Sequence, residues 1–134
     1  MEEKAIRIAN LHKSFGTQKV LDGVDLEIER GKITVIIGKS GGGKSVLLKH
    51  LIGLIKPDFG EIWIGNTEIT ALNERDLNII RTKFGMLFQE AALFDSMDVF
   101  DNVAFPLREL TNKSKREVER IVEDRLKQVG LLKF

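Results

Sequence analysis

The feature that most constrains the fold is a glycine-rich loop, residues 38–45, which reads GKSGGGKS in one-letter code. It fits the pattern G-x-x-x-x-G-K-[ST] of a phosphate-binding loop. The apolar residues 32–37 before it predict a buried strand, and residues 44–54 after it predict a helix. The structural context that a phosphate-binding loop requires is therefore present in the sequence.

Each residue type in this loop suits a bound phosphate. Consecutive glycines let the backbone pass close to the ligand, and the backbone N–H groups and the start of the helix attract negative charge. Lys44 supplies a cation for the β- and γ-phosphates, and the Ser45 hydroxyl can bind Mg²⁺. The alternative is a glycine-rich turn that precedes Lys-Ser by chance. The backbone positions predicted to hold the phosphates are Gly38, Ser40, Gly41, Gly42 and Gly43.

Composition limits the class of protein. The 134 residues suit one modest domain, and 43% hydrophobic with 31% charged residues is typical of a globular chain. With 21 basic and 20 acidic residues, bulk charge gives no argument for a nucleic-acid partner. The absence of cysteine excludes a disulfide framework and a cysteine-based metal site. The sequence predicts neither a signal peptide nor a membrane-spanning segment.

Periodicity and capping signals predict the remaining elements. Asn73 is a candidate N-cap, as are Ser96 or Asp98, and Ser114 with Glu117 forms a capping box. The last helix is expected to bury one face that includes Val129. The predicted strands lie at 5–9, 20–28, 61–64 and 84–88, and the predicted helices at 74–81, about 98–110 and 115–129.

The order of these features is similar to that of ABC-transporter ATPases. The residues that carry the resemblance are Phe15-Gly16, 20–24, 38–45, 56–62 and Phe88-Gln89. A narrower resemblance covers residues 86–109, which are similar to the corresponding run in the Mla-type (Mce-linked) ATPases. Those proteins power phospholipid movement between the bacterial inner and outer membranes.

The resemblance implies an α/β fold with a P-loop NTPase (RecA-like) core, an amino-terminal antiparallel β subdomain and part of an α-helical subdomain. The carboxy-terminal part of the domain is then missing. Within a partial ABC ATPase domain over 1–134, the expected parts are the β subdomain at 1–31 and 60–70, the P-loop strand and helix at 32–56, the Q-loop strand at 84–90 and the start of the helical subdomain at 91–134.

The resemblance also assigns roles, with ATP and Mg²⁺ as cofactors. Phe15 resembles the aromatic residue that stacks on adenine, and Val20 would pack beside the same ring or the ribose. Lys44 and Gln89 resemble the catalytic pair, with Gln89 completing the Mg²⁺ shell beside Ser45 and placing the attacking water. Val46 is also a predicted nucleotide-binding position, but it stands where many relatives carry a second hydroxyl, so a contact of its side chain with the α-phosphate is unavailable. From the residues alone, Phe15 could instead be an aromatic core residue in a turn, and Val20 could be an ordinary core valine of a strand.

The large apolar residues after Gln89 have two interpretations. They can form the core of a helical subdomain, or they can line a cleft for a cytoplasmic helix of a membrane permease. Phe94 and Phe100 are the best candidates for the permease surface. The resemblance further implies a homodimer of ATPase subunits under the permeases, on the cytoplasmic face of the bacterial inner membrane, which touches the membrane only through the permease.

Several groups that the family uses for hydrolysis do not occur in these residues. No apolar run ends in Asp-Glu, no Ser-Gly-Gly follows the loop, and no histidine follows His50. We therefore expect an amino-terminal fragment that binds nucleotide without efficient hydrolysis and is prone to self-association. The alternatives are an ABC ATPase for another solute, a non-transport ABC protein, or a plain nucleotide-binding module.

Overall fold

An antiparallel sheet dominates the first part of the computed structural model, which describes residues 3–133. The chain divides into a first unit that ends at Phe84 and a second unit that begins at Gly85. The strands β1 (Lys4–Phe15), β2 (Gln18–Glu29), β3 (Phe59–Ile64) and β4 (Thr67–Glu68) lie in the order β2-β1-β3-β4. The expected antiparallel β subdomain is therefore confirmed.

Alternation along β2 explains why this strand forms. Val24 and Leu26 are half-buried against the core and Ile28 is half-buried, whereas Asp25 and Glu27 between them are exposed. This period of two matches the pleat of a strand with one face on a core. The strand predicted at 20–28 therefore forms, within Gln18–Glu29.

The strand β1 bends where it meets β3. Its register shifts between Ile8 and Leu11 against β2, and between Ala9 and His12 against β3. At this bend Asn10 has a positive φ of 49°, and Gly60 on β3 has a φ of 104°. Asparagine and glycine are the residues that tolerate such angles. The two backbones can therefore approach each other closely at this point.

Two helices complete the core of the first unit. These are α1 (Lys44–Leu51) and α2 (Glu74–Arg81), and the Asn73 side chain caps α2 by accepting the Asp76 N–H at 2.9 Å. The cap and the bounds of α2 agree with the sequence prediction. The buried side chains of this core are Ile8, Leu11, Leu21, Leu47, Leu51, Ile62, Ile64, Ile69, Leu77 and Ile80.

The side chain of Arg81 joins the two helices. Its guanidinium donates to the carbonyl of Ile52 at 2.8 Å and to that of Gly53 at 3.1 Å, just after α1 ends. It also pairs with the carboxylate of Glu74 at 2.9 Å. Carbonyls at a helix C-terminus need donors from outside the helix. Arg81 therefore satisfies the end of α1 from α2.

Two further helices form the second unit. They are α3 (Val99–Leu110), capped by Asp98, and α4 (Lys115–Gln128), which begins with the predicted capping box at Ser114. Val129 is 67% exposed because it lies beyond the end of α4, so its predicted burial was wrong. Among the described residues, no helix is long and apolar enough to cross a bilayer. The core of this unit consists of Ala104, Val118, Val122 and Leu126.

The segment before the phosphate loop is not a strand, so this part of the prediction was wrong. Residues 33–39 form no regular secondary structure, and Ile33 and Ile37 are at least 90% exposed. Only Ile36 packs against the core of the first unit. A strand forms only when a neighbour takes its hydrogen bonds. The four described strands pair with one another, and none pairs with this segment.

The predicted strand at 84–90 is also absent, for the same reason. Residues 84–88 have no ladder partner among the described strands, and Leu87 is 93% exposed. Both segments carry the apolar pattern of a buried parallel strand. The pattern indicates that such a segment can form a buried strand, but a strand forms only where a neighbouring strand is present to pair with it.

A buried histidine lies near the end of α1. His50 is 0% exposed, and its Nδ1 lies 2.7 Å from the carbonyl oxygen of Val46. Since a carbonyl only accepts, Nδ1 carries the proton of the neutral ring, and the buried Nε2 has no partner. Burial lowers the pKa of His50 below its ordinary value of 6.5, the hydrogen bond to the Val46 carbonyl opposes this shift, and Lys13 lowers the pKa while Asp58 raises it.

We expect the first unit to lose stability as the pH falls below about 6.5. Below this pH His50 binds a proton in the unfolded chain but stays neutral in the folded chain, where its pKa is lower. The free energy of unfolding therefore falls by up to about 1.4 kcal/mol per pH unit. Urea unfolding followed by fluorescence of Trp63, the single tryptophan, measures this change. His50→Leu should flatten the pH dependence and His12→Gln should keep it. An equally steep fall in His50→Leu would contradict the assignment.

Candidate nucleotide-binding site

The backbone of the phosphate loop is shaped by its glycines. Gly41 and Gly43 have positive φ values of 76° and 93°. The N–H of Gly42 donates to the carbonyl of Lys39 at 3.0 Å, and a Cβ on Gly42 would lie 2.9 Å from that oxygen. Side chains at these positions would strain or crowd the loop. The three consecutive glycines are therefore a requirement of the observed loop.

The loop ends in a cation at the start of α1. Lys44 Nζ donates to the carbonyls of Gly38 at 2.5 Å and Lys39 at 2.7 Å. Within residues 3–133 no carboxylate lies within 4.0 Å of this ammonium group, and the first turn of α1 contains no acidic residue. A lysine held only by carbonyls at a helix N-terminus, which is itself polarised positively, suits a polyphosphate ligand.

The backbone of α1 adds donors to the same place. Gly43 is the N-cap and provides no side-chain cap, and the first helical hydrogen bond runs from the N–H of Leu47 to the carbonyl of Gly43 at 2.8 Å. The N–H groups of Lys44, Ser45 and Val46 therefore have no partner within the helix. They can donate to phosphate oxygens.

The second strand brings a side chain to this loop. A Cβ on Gly43 would lie 3.0 Å from Val20 Cγ1 and 3.1 Å from the carbonyl oxygen of Val20. Val20 therefore lies beside the phosphate loop, on the strand that follows the turn after Phe15. Phe15 ends β1 and is 47% exposed, so its ring is accessible to a ligand. An interpretation of Phe15 as a buried core residue does not fit this exposure.

The candidate metal ligands are sparse. The residue Ser45 is exposed, whereas Val46 is half-buried and packs against the core of the first unit. Val46 thus supplies packing where many relatives have a hydroxyl. In the part of the chain that the structure describes, no group of three or more His, Asp or Glu could hold a metal. A Mg²⁺ ion here would rely on Ser45 and on the oxygens of a nucleotide.

The second unit carries the remaining predicted site residues. Gln89 is exposed in an irregular segment, and its role toward Mg²⁺ stays a prediction. Phe94 is 46% exposed, with its ring centroid 4.7 Å from that of Phe105. Phe100 is half-buried against the core of α3 and α4. Of the two permease candidates, Phe94 is thus the more accessible.

An asparagine holds the segment that presents Phe94. The Asn102 Oδ1 accepts the N–H of Phe94 at 2.8 Å, and Nδ2 donates to the carbonyls of Phe94, Met97 and Asp98 at 2.9–3.1 Å. These four contacts join α3 to residues 94–98. Sequence reasoning missed this residue, because a single asparagine within a helix gives no signal of a loop four to eight residues earlier.

Comparison with known proteins decides the family. The profile described as ABC transporter matches residues 21–134. The chain belongs to the ABC transporter family. Its fold agrees with solved ATPase cassettes of that family: it matches the dimeric, post-hydrolysis structure of the ATP-binding cassette MJ0796 bound to ADP and Pi with a TM-score of 0.84 and 30% identity. The match covers 93% of this chain and 57% of that one.

Curated ABC proteins are similar over nearly the whole chain. The "Probable ribonucleotide transport ATP-binding protein mkl" of Mycobacterium leprae is 49% identical, covering 95% of this chain and 37% of that protein. The intermembrane phospholipid transport system ATP-binding protein MlaF of Haemophilus influenzae is 41% identical, covering 98% of this chain and 50% of that protein. The chain spans half or less of the length of these two relatives.

Proposed function

We propose that this ABC chain binds ATP with Mg²⁺ at residues 38–46. The observation that carries the proposal is the Lys44 ammonium group, which is held only by carbonyls at the start of α1 beside unpaired backbone donors. A nucleotide triphosphate supplies the negative charge that this arrangement lacks. ADP in the similar cassette MJ0796 supports the choice of an adenine nucleotide.

The proposed roles follow the chemistry of the side chains. Lys44 binds the β- and γ-phosphates, and the glycine backbone of the loop cradles them. Ser45 contributes a hydroxyl to Mg²⁺, and Phe15 with Val20 lies against the base and the ribose. Gln89 as a further Mg²⁺ ligand and as the group that places water rests on the family resemblance alone.

For the whole protein we propose an ATPase subunit of a transporter that moves phospholipid. Likeness to MlaF supports this solute. The relative mkl is more similar and is named for ribonucleotide transport, which supports a different solute as the second candidate. Two such subunits would work as a dimer at the cytoplasmic face of the bacterial inner membrane. They would contact permeases through the region of Phe94 and Phe100.

Residues 1–134 are proposed to bind nucleotide without efficient turnover. Phosphoryl transfer depends on charge neutralisation and on a placed nucleophile. Lys44 and the loop can neutralise charge on the phosphates. To activate the attacking water, however, the sequence offers no Asp-Glu pair at the end of an apolar strand. An ATP hydrolysis rate that depends on Mg²⁺ and is lost in Lys44→Ala would contradict this proposal.

Titration calorimetry with ATP, with and without Mg²⁺, tests the binding proposal. We expect Mg²⁺ to strengthen ATP binding by the wild-type chain, and Ser45→Ala to remove most of that gain, about tenfold for one charge-assisted contact. Thr17→Ala, which removes an exposed hydroxyl in the turn after β1, should leave the gain unchanged. A wild-type chain that binds no ATP under either condition would refute the proposal.

A further inference from the structure

The end of β1 is tied to the segment that follows α1 by one carboxylate. Asp58 Oδ2 accepts the N–H of Ser14 at 2.7 Å, and the N–H of Asp58 donates to the carbonyl of His12 at 2.8 Å. The hydrogen bond from Ser14 holds the pKa of Asp58 below its ordinary value, so the group stays charged. Asp58 is thereby fixed to the strand that carries Phe15.

The same carboxylate holds a lysine against the Phe15 ring. Lys13 Nζ lies 3.5 Å from Asp58 Oδ1 and 5.5 Å from the centroid of the Phe15 ring, over which it sits. The Lys13 side chain is only 18% exposed, whereas Lys19 on the neighbouring strand is 70% exposed. A cation within about 6 Å of a ring centroid is attracted to the ring face. Asp58, Lys13 and Phe15 therefore form a continuous chain of contacts.

We propose that Lys13 and Asp58 are positioning residues for the nucleotide base. Lys13 covers one face of the Phe15 ring and Asp58 fixes Lys13, so the ring presents its opposite face to the base. An exposed ring near a hairpin turn would lose side-chain freedom when a base stacks on it, and a ring already held in place loses less. The inference rests on the proposed function, in which the base lies against Phe15.

The proposal separates base binding from phosphate binding. Lys13 and Asp58 act on the ring, whereas the phosphates are bound by Lys44 and the glycine loop. Removing the contact of Lys13 with the Phe15 ring should therefore reduce the affinity for ATP. It should leave the affinity for a triphosphate without a base unchanged. A general loss of structure would instead reduce the affinity for both ligands.

Titration calorimetry of the chain with ATP and with inorganic tripolyphosphate, both with Mg²⁺, tests this separation. Lys13→Met and Asp58→Ala should weaken ATP binding about two- to fivefold, the range of one cation–π contact, with tripolyphosphate unaffected. Lys13→Arg keeps the cation and should retain wild-type affinity. Lys19→Met, which removes an exposed cation from β2, is the matched control.

Asp58→Asn provides a second, milder variant in case Asp58→Ala does not fold. It keeps an acceptor for the Ser14 N–H and removes only the negative charge that holds Lys13. It should therefore reduce the affinity for ATP but not that for tripolyphosphate, as Lys13→Met does. The inference is overturned if these variants lose affinity for ATP and for tripolyphosphate equally. It is also overturned if Lys13→Met and Asp58→Asn bind ATP as the wild type does. If Phe15→Ala leaves ATP affinity unchanged, the proposed base contact itself fails, which is a different result.

Discussion

Gly60→Ala is expected to destabilise the first unit by about 4 kcal/mol, a loss typical of severe backbone clashes. A Cβ on Gly60 would lie 2.4 Å from the carbonyl oxygen of Asn10 and 2.8 Å from that of Ala9. The φ of 104° is also strained for any side chain. Because both neighbours are backbone atoms of β1, relief requires β1 and β3 to move apart.

Trp63 lies on β3 next to this contact, so urea unfolding followed by its fluorescence reports the effect. Gly65→Ala is the matched control, since Gly65 also has a positive φ, 58°, but a Cβ there would meet no atom within 4 Å. The control should lose only about 1 kcal/mol of backbone strain. Similar losses in the two variants would show that the close approach of Gly60 to Asn10 is unimportant.

Lys44→Ala is expected to weaken ATP binding about 100-fold or more. In the proposed complex the Lys44 ammonium group at the start of α1 binds the triphosphate, and each charge-assisted hydrogen bond contributes about 1.5–3 kcal/mol. In the protein Lys44 donates to the carbonyls of Gly38 and Lys39, so these bonds are exchanged for bonds to phosphate. Titration calorimetry with ATP and Mg²⁺ measures the loss.

Lys49→Ala is the control for net charge, because Lys49 is an exposed lysine on the same helix as Lys44. It should change ATP affinity less than about twofold, since a solvated charge away from the loop is screened by salt. If Lys44→Ala and Lys49→Ala reduce the affinity for ATP equally, the loss reflects the overall charge of the chain rather than a contact made by the loop. If Lys44→Ala binds as tightly as the wild type, ATP does not use this loop.

The elements that could be predicted from the sequence are those fixed by local chemistry. The caps at Asn73, Asp98 and Ser114 each place a short acceptor side chain before a helix, and all three helices start there. The strand predicted at 20–28 also depends on a local pattern, and it forms within Gln18–Glu29. Such signals depend on neighbours only a few residues away, so no knowledge of the remaining fold was needed.

The failed strand predictions concern partners distant in sequence. Residues 32–37 and 84–88 have the composition of buried strands, but pairing depends on a neighbour that composition does not reveal. The contacts of Asp58 with Ser14 and Lys13 were equally invisible, because they span more than 40 positions. A capping box has a fixed spacing, whereas a long-range ion pair has none.

The sequence placed the phosphate loop before α1 because its pattern depends only on residues close together in the chain. The loop pattern could group its glycines, Lys44 and Ser45 because they are nearly consecutive, and the structure places Lys44 at the start of α1, against the carbonyls of Gly38 and Lys39. Their role in binding nucleotide stays a prediction. The approach of Val20 to Gly43 was not predicted. The resemblance placed Val20 beside the adenine ring or the ribose, and that role stays a prediction. The roles of Gln89, Phe94 and Phe100 depend on groups outside the loop and stay predictions.

The hydrogen bonds of Arg81 affect how the first unit opens. They connect α2 to carbonyls 28 and 29 positions earlier, at the end of the helix that begins with Lys44. If α2 unfolds locally, these carbonyls lose their donors, so the end of α1 becomes less stable at the same moment. Local opening is then shared by both helices as one cooperative step, and amide protons in α1 and α2 should have similar protection against exchange with solvent.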